Sequence, residues 1–294
     1  MQKDSLLQVA STRPVLLDGG MGTMLFEKGL EHGHAPELWN VDQPDDVADI
    51  HRQYLNAGSD AILTNTFGGT SVKLADHDLE KMAHKINYAA ARLARSVCVD
   101  GKYVIGDIGP TGKLLEPYGD LQESVLQASL EEQIGALIDG GVDAILFETQ
   151  MDMQEALFGI KVAKNLCSLP VIASFTFNKT KRGFFTLMGN SVLDVMRGAA
   201  FAGADIVGAN CGLDSIEMAP LIRKVSEATG LPIFAKPNAG MPELKNGHVH
   251  YSQPLDEFLE PLSGYLEEGT KLIGGCCGTG PDHIRGIRKL IPTV

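Results

Sequence analysis

Short apolar runs alternate with longer amphipathic segments along the chain. Each run is rich in β-branched residues and ends in small or polar residues, and apolar positions three and four residues apart follow it. The runs predict strands and the segments predict helices. The predicted strands are Val15–Gly20, Asp60–Phe67, Tyr103–Pro110, Asp143–Thr149, Pro170–Phe177, Asp205–Cys211, Pro232–Gly240 and Leu272–Gly278.

The helical segments fill the gaps between these strands. Several of them end on a glycine that leads directly into the next strand, as in AGSDAIL, GGVDAIL and AGADIV, which is typical of a helix C-terminus. The predicted helices are Asp45–Ala57, Lys81–Val97, Ser124–Asp139, Met153–Asn165, Ser191–Ala202, Ser215–Thr229, Leu255–Glu268 and Asp282–Leu290. Eight strand–helix alternations predict a single-domain α/β protein, a (β/α)₈ TIM barrel over residues 1–294.

A doubly wound open sheet is the competing topology. The sequence DGGMGTML follows the first predicted strand, but it lacks the third glycine of the dinucleotide-binding fingerprint, which favours the barrel. Long connections follow the C-terminal ends of four strands, at Met21–Gln43, Thr111–Gln122, Asn178–Asn190 and Met241–Gln253. Barrel enzymes build their active sites at that end of the strands, so we expect the site there.

Charge and cysteine content narrow the class of protein. Lys and Arg number 25 against 37 Asp and Glu, a formal net charge of −12 that would repel nucleic acid and an anionic membrane. No apolar run has the length of a transmembrane helix, and the N-terminus lacks the apolar core of a signal peptide. The odd number of cysteines, five, argues against a disulfide scaffold. These features predict a cytoplasmic protein.

Three cysteines carry the candidate chemistry. Cys211 ends the sixth predicted strand, and Cys276 and Cys277 end the eighth. In a barrel these strands lie one strand apart, so the three thiols can meet at the mouth. A catalytic zinc ion typically has three protein ligands and one open position.

Other interpretations of these thiols stay open on spacing alone. Cys211 can be a small buried apolar residue, and Cys276 and Cys277 can form a redox disulfide. The glycine-rich segment around that pair can instead hold a phosphate at the next helix. We interpret Cys98 and Cys167, which fall in or beside helices, as structural.

Polar residues at other strand ends are candidates for substrate contact. Asp18 and Glu148 can hold the ammonium group of an amino acid. Asn65 and Asn238 can contact substrate or support the site, or can be turn residues. Asp107, within the third predicted strand, is a further carboxylate of this kind, or it is a structural residue.

Two further features point to alternatives. His248 and His250 form an HxH pair in a polar segment, which favours a solvated hairpin over a metal site. Lys236, near the end of the seventh strand, would be the Schiff-base lysine of an aldolase or isomerase that binds a phosphorylated ligand. That class would leave the three cysteines unexplained.

Seven segments together resemble the homocysteine S-methyltransferase family over nearly the full chain. They are LLDGGMGT at 16–23, GSDAILTNTFGGT at 58–70, GDIGPTG at 106–112, FET at 147–149, ANCG at 209–212, KPNAG at 236–240 and GGCCGT at 274–279. GGCCGT with an upstream NC is the most specific of these signals. TNTFGG and GDIGPTG are most similar to the homocysteine-binding module of cobalamin-dependent methionine synthases.

The resemblance implies a function and a site. It implies transfer of a methyl group to the thiol of homocysteine, giving methionine, at a Zn²⁺ ion held by Cys211, Cys276 and Cys277. It also implies that Asp18 and Glu148 bind the amino group of homocysteine and that Asn238 lies near the zinc.

The same resemblance narrows the methyl donor. The likeness to cobalamin-dependent enzymes makes a methylcorrinoid the expected donor. Since no room remains after the eighth unit for folate and cobalamin modules, we expect it on a separate corrinoid protein or as methylcobalamin. S-methylmethionine and S-adenosylmethionine are the alternative donors. A non-catalytic zinc or redox protein is the remote alternative.

Overall fold

The predicted strand runs form one parallel sheet in the computed structural model, which describes residues 4–99, 101–245 and 248–292, with 244–245 and 248–249 described by their backbone alone. Its strands are β1 Val15–Leu16, β2 Ala61–Leu63, β3 Tyr103–Ile108, β4 Ala144–Gln150, β5 Val171–Phe175, β6 Ile206–Asp214, β7 Ile233–Asn238 and β8 Thr270–Ile273. Hydrogen-bonded neighbours run β1, β8, β7, β6, β5, β4, β3, β2. Asp60 N donates to Leu16 O at 2.6 Å and joins the two ends. The predicted TIM barrel is confirmed.

Helices alternate with these strands. The helices are α1 Leu6–Thr12, α2 Met21–Glu27, α3 Trp39–Asp42, α4 Pro44–Ala57, α5 Ser71–Leu74, α6 Ala83–Val97, α7 Glu123–Gly140, α8 Met153–Leu166, α9 Val192–Ala202, α10 Ser215–Ala228, α11 Leu255–Leu259, α12 Leu262–Glu267 and α13 Pro281–Leu290, with short 3₁₀ turns at Pro36–Leu38, Ala75–His77 and Glu80–Met82. The predicted C-terminal glycines Gly58, Gly141 and Gly203 all cap their helices in the left-handed conformation. Within the described ranges, no helix is long and apolar enough to cross a membrane.

Some predicted boundaries were wrong. The segment Leu255–Glu268 is two helices, α11 and α12, because Pro261 lies at the junction and cannot donate a backbone hydrogen bond.

Two of the long connections contain antiparallel hairpins, Asn178–Thr180 with Gly183–Phe185 and Pro242–Lys245 with His248–Tyr251. The second hairpin confirms the one expected around the HxH pair.

An apolar cluster fills the barrel interior. It takes residues from all eight strands, and Leu6 and Ala10 of α1 pack against it from the N-terminal end. Ile105, Leu146 and Phe234 are among its members. Because alternate residues of a strand face the same side, the residues two positions further along each strand also face inward. The apolar floor is therefore followed, toward the C-terminal mouth, by a polar layer.

Candidate active site

The three predicted cysteines converge at the mouth of the barrel. Cys211 Sγ lies 4.0 Å from Cys277 Sγ, which lies 4.0 Å from Cys276 Sγ, and all three sulfurs are within 4.8 Å of one another. Tetrahedral ligands placed about 2.3 Å from zinc would stand about 3.8 Å apart, so these thiols fit one ion with little movement. No fourth His, Cys, Asp or Glu joins this group among the residues that the structure describes.

The backbone explains how two adjacent cysteines reach one point. Cys276 N donates to Pro237 O at 2.8 Å, and Cys277 O accepts from Ala239 N at 2.9 Å, so the segment after β8 follows β7. Gly278 then turns with φ +79°, a conformation that suits glycine. Both thiols therefore face the mouth instead of opposite sides of a strand.

Strained backbone is concentrated at the same place. Of the described residues other than glycine, only Asp78, Thr149 and Cys211 have positive φ, and the last two meet at this site with φ of 54° and 58°. Such conformations disfavour L-residues by about 1–2 kcal/mol each. Strain of this kind persists at functional sites, where the surrounding contacts enforce it.

The three thiols disfavour one another's deprotonation. The Cys276 thiol beside Cys211 raises the pKa of Cys211 to about 12, and Cys211 raises the pKa of Cys277 to about 11. Three thiolates cannot form so close together without a compensating positive charge. A metal ion would supply that charge and hold all three ligands deprotonated.

A buried ion-pair cluster lies in the polar layer. Lys236 Nζ lies 3.0 Å from Glu148 Oε1 and 3.6 Å from Asp18 Oδ1, and all three residues are buried. Asp18 Oδ2 accepts a hydrogen bond from Leu63 N at 2.8 Å, which fixes the carboxylate. Asp107 faces inward as well, two positions beyond Ile105 of the floor. Asp18 and Glu148 are thus brought together as expected.

Burial sets the charge of this cluster. It raises the pKa of Asp18 to about 6, although Lys236 and the Leu63 N–H pull the other way. It raises the pKa of Asp107 well above the ordinary value, with Glu148 adding to the effect. Burial disfavours the charged form of Lys236, but Glu148 and Asp18 outweigh that and raise its pKa. A lysine held protonated in this way is no Schiff-base nucleophile.

Several acceptor oxygens in this region have no hydrogen-bond partner among the described residues. Asp18 Oδ1, Asp107 Oδ1 and Asn238 Oδ1 are all buried in this state. Buried polar atoms are normally satisfied, so unsatisfied ones call for an explanation. A ligand that donates hydrogen bonds here would satisfy them.

The remaining predicted residues have other surroundings. Asn65 Nδ2 donates to Pro36 O at 2.8 Å and to Asn40 Oδ1 at 3.3 Å, contacts that brace the loop after β2. A substrate contact for Asn65 stays a prediction. His250 is exposed on its hairpin, and the side chain of His248 lies outside the described residues.

Two contacts with the thiols were absent from the sequence prediction. Asn210 is fully buried and its amide Nδ2 donates to Cys276 Sγ at 3.8 Å. The Tyr251 ring lies against Gly278, and burial together with the neighbouring Cys277 thiol raises the pKa of its hydroxyl. The only available signal for Asn210 was its place beside Cys211 in ANCG.

Comparison with known proteins adds independent findings. The sequence profile of the family described as "Homocysteine S-methyltransferase" matches residues 15–291. The chain is 33% identical over 309 residues to the methionine synthase of Mycobacterium tuberculosis (strain ATCC 25618 / H37Rv), covering 98% of this chain and 25% of that protein. For the methionine synthase of Mycobacterium leprae (strain TN) the identity is 32% over 306 residues, covering 97% and 25%. The chain spans about a quarter of the length of these relatives.

Solved structures share the fold. The homocysteine methyltransferase MmuM from Escherichia coli, in its metallated form, superposes with a TM-score of 0.79 at 22% identity, covering 96% of this chain and 98% of that one. Its apo form gives a TM-score of 0.73 at 20% identity, covering 97% and 100%. These likenesses support the barrel architecture over the whole chain.

Proposed function

Because the chain belongs to the homocysteine S-methyltransferase family, we propose that it transfers a methyl group to the thiol of homocysteine and so forms methionine. The observation that carries this proposal is the pairing of a three-thiol cluster with a buried acidic pocket at one barrel mouth. Homocysteine has a thiol for the first and an ammonium group for the second.

The acidic pocket suits an ammonium group by charge. Asp18 and Glu148 face a single Lys236, so two carboxylates share one positive charge. An ammonium group would balance the second carboxylate. Asp18 Oδ1 accepts no hydrogen bond although it lies 3.6 Å from Lys236 Nζ, and it would accept one from an ammonium N–H, a charge-assisted hydrogen bond.

Cys211, Cys276 and Cys277 would hold a Zn²⁺ ion, for which their spacing is suitable. When bound, zinc would lower the pKa of the homocysteine thiol and keep it as a thiolate. Asp18 and Glu148 would bind the ammonium end of the substrate, which would direct its sulfur toward the thiol cluster. The substrate sulfur forms a bond to the donor methyl carbon, the bonding pair leaves with the donor, and the thiol proton passes to solvent.

A methylcorrinoid is the proposed donor, carried by a separate corrinoid protein or supplied as methylcobalamin. The likeness of TNTFGG and GDIGPTG to cobalamin-dependent methionine synthases supports it. S-methylmethionine and S-adenosylmethionine are the competing donors. Cytoplasmic localisation stays a prediction.

The test is methionine formation by the zinc-loaded protein from homocysteine, with methylcobalamin compared with S-methylmethionine as donor. Turnover with methylcobalamin alone supports the proposal. Turnover with S-methylmethionine alone would keep the methyl transfer and overturn the donor. Binding of zinc without turnover of any donor would favour the non-catalytic zinc or redox protein instead.

A further inference from the structure

The amide of Asn210 occupies a central place among four strands. Its Oδ1 accepts from Thr149 N at 3.0 Å and from Ser174 Oγ at 2.6 Å, which ties β6 to β4 and β5. Its Nδ2 donates to Thr149 Oγ1 at 2.6 Å and to Cys276 Sγ at 3.8 Å, in the segment that follows β8. The oxygen and the nitrogen of the amide therefore each make two hydrogen bonds.

The orientation of this amide is fixed by its partners. Asparagine oxygen and nitrogen are assigned from the hydrogen-bond network. The backbone N–H of Thr149 can only donate, so the amide atom facing it must be the oxygen, and the nitrogen must face Cys276. The left-handed φ of Thr149, +54°, accompanies this arrangement, in which its N–H and its hydroxyl both meet the amide.

The register of β6 with β7 directs Asn210 toward the barrel interior. Asn210 pairs with Lys236 of β7 across the ladder, so both face the barrel interior. Asn210 is fully buried, so its amide is held by protein groups and not by solvent. The next residue, Cys211, is itself one of the three thiols, with a positive φ that separates its direction from that of Asn210.

We propose that Asn210 is a positioning residue for the thiol cluster, whose amide N–H donates to the Cys276 sulfur and holds it ready for the metal. This inference rests on the proposed function in so far as the cluster binds zinc. A thiolate that accepts a hydrogen bond carries less excess charge, which stabilises three thiolates around one ion. Outer partners of metal ligands typically contribute 10- to 100-fold to metal affinity or activity.

Asn210→Asp is the decisive variant, since it keeps the oxygen that Thr149 N and Ser174 Oγ need and replaces the donor with an oxygen that repels the sulfur. Zn²⁺ affinity, measured by competition with a chromophoric chelator, is expected to fall about 10- to 100-fold. The thiolate-to-metal charge-transfer band of the Co²⁺-substituted protein is expected to shift. Both measurements are made without substrate or donor.

Two further variants keep the test decisive. Ser174→Ala removes one hydroxyl that orients the amide, and a smaller loss of Zn²⁺ affinity is expected. Asn87→Asp is the matched control, because Asn87 is also a fully buried amide but donates to Gly69 O and Ala83 O, both at 2.7 Å. Its Zn²⁺ affinity should equal that of the wild type.

The outcomes separate the two proposals. Folded Asn210→Asp protein with wild-type Zn²⁺ affinity and an unchanged Co²⁺ spectrum overturns the role of Asn210. If that variant does not fold, wild-type affinity and spectrum in Ser174→Ala overturn it, and a loss supports it. A wild type that binds Zn²⁺ but transfers no methyl group overturns the proposed reaction alone, whereas a wild type that binds no Zn²⁺ overturns both.

Discussion

Glu148→Gln tests most directly whether the acidic pocket formed by Asp18 and Glu148 binds the ammonium group of the substrate. The substitution preserves the shape of the side chain and an oxygen that Lys236 can approach, but removes the negative charge that a substrate ammonium would meet. Glu148 Oε1 lies 3.0 Å from Lys236 Nζ in a buried position, where water screens charges little. Asp18 remains 3.6 Å from Lys236, so the lysine keeps one ionic partner and the fold is expected to persist.

The size of the effect follows from the type of contact that is lost. A hydrogen bond to a charged group contributes about 1.5–3 kcal/mol, and about 1.4 kcal/mol corresponds to a factor of ten in affinity. The Kd of homocysteine is therefore expected to rise about 10- to 150-fold. Zinc affinity should fall much less, because Glu148 is not one of the three thiols.

Calorimetric titration of the zinc-loaded protein with homocysteine measures the first quantity, and chelator competition measures the second. Glu155→Gln is the matched control: Glu155 is also a buried carboxylate, but it accepts from Thr111 N at 2.7 Å and has no part in the cluster around Lys236. Equal losses of homocysteine and zinc affinity in Glu148→Gln would refute the reasoning and make Glu148 a scaffold residue.

Three other changes have defined outcomes. Cys276→Ala or Cys277→Ala should abolish zinc binding and methionine formation, measured by metal content and product assay, and full activity of either variant would contradict the mechanism. Burial raises the pKa of Asp18 from 3.8 to about 6, so the folded protein binds this proton more tightly than the unfolded chain. The free energy of unfolding should therefore decrease as the pH rises from about 4 to about 6. Homocysteine affinity should instead improve as the pH rises through about 6, and an inflection that survives in Asp18→Asn would belong to another group. Gly208→Ala should lower the free energy of unfolding by about 3 kcal/mol, because the added Cβ would lie 1.8 Å from Phe234 O. A denaturant titration measures this, and wild-type stability would contradict the tight approach of β6 to β7.

The convergence of the thiols was predictable because it depends only on topology. All strands of a parallel barrel end at the same rim, so residues at the ends of β6 and β8 must be near each other whatever their sequence separation. Cys211, Cys276 and Cys277 meet there as expected. The likeness to the family, confirmed by the match over residues 15–291, added the ligand assignment that spacing alone left open.

The role of Lys236 was less accessible from sequence. Its direction follows from alternation, since Phe234 belongs to the apolar floor and Lys236 is two positions further along. Its partners do not follow, because Glu148 lies on β4 and Asp18 follows β1, and which carboxylate meets the lysine depends on stagger between strands. Local sequence therefore suggested a Schiff-base lysine where the structure has an ion pair.

The positive φ of Thr149 and Cys211 had no sequence signal at all. Glycine or asparagine marks such positions in most chains, whereas here a threonine and a cysteine adopt them. Thr149 is held by a contact from another strand, since both its N–H and its hydroxyl bond to Asn210, and Cys211 lies among the thiols. Backbone conformation imposed by tertiary contacts cannot be read from the residues that adopt it.

The thiol cluster and the acidic cluster have complementary charge requirements. The thiol cluster suits a divalent cation, and in the acidic cluster Asp18 and Glu148 share the single positive charge of Lys236. A simple thiol would meet the first need and leave the second unsatisfied, with no hydrogen-bond donor for Asp18 Oδ1. An amino acid without a thiol would do the reverse. A ligand with both groups would satisfy both clusters, so under the proposed function the buried charges would make the site selective for an amino-acid thiol.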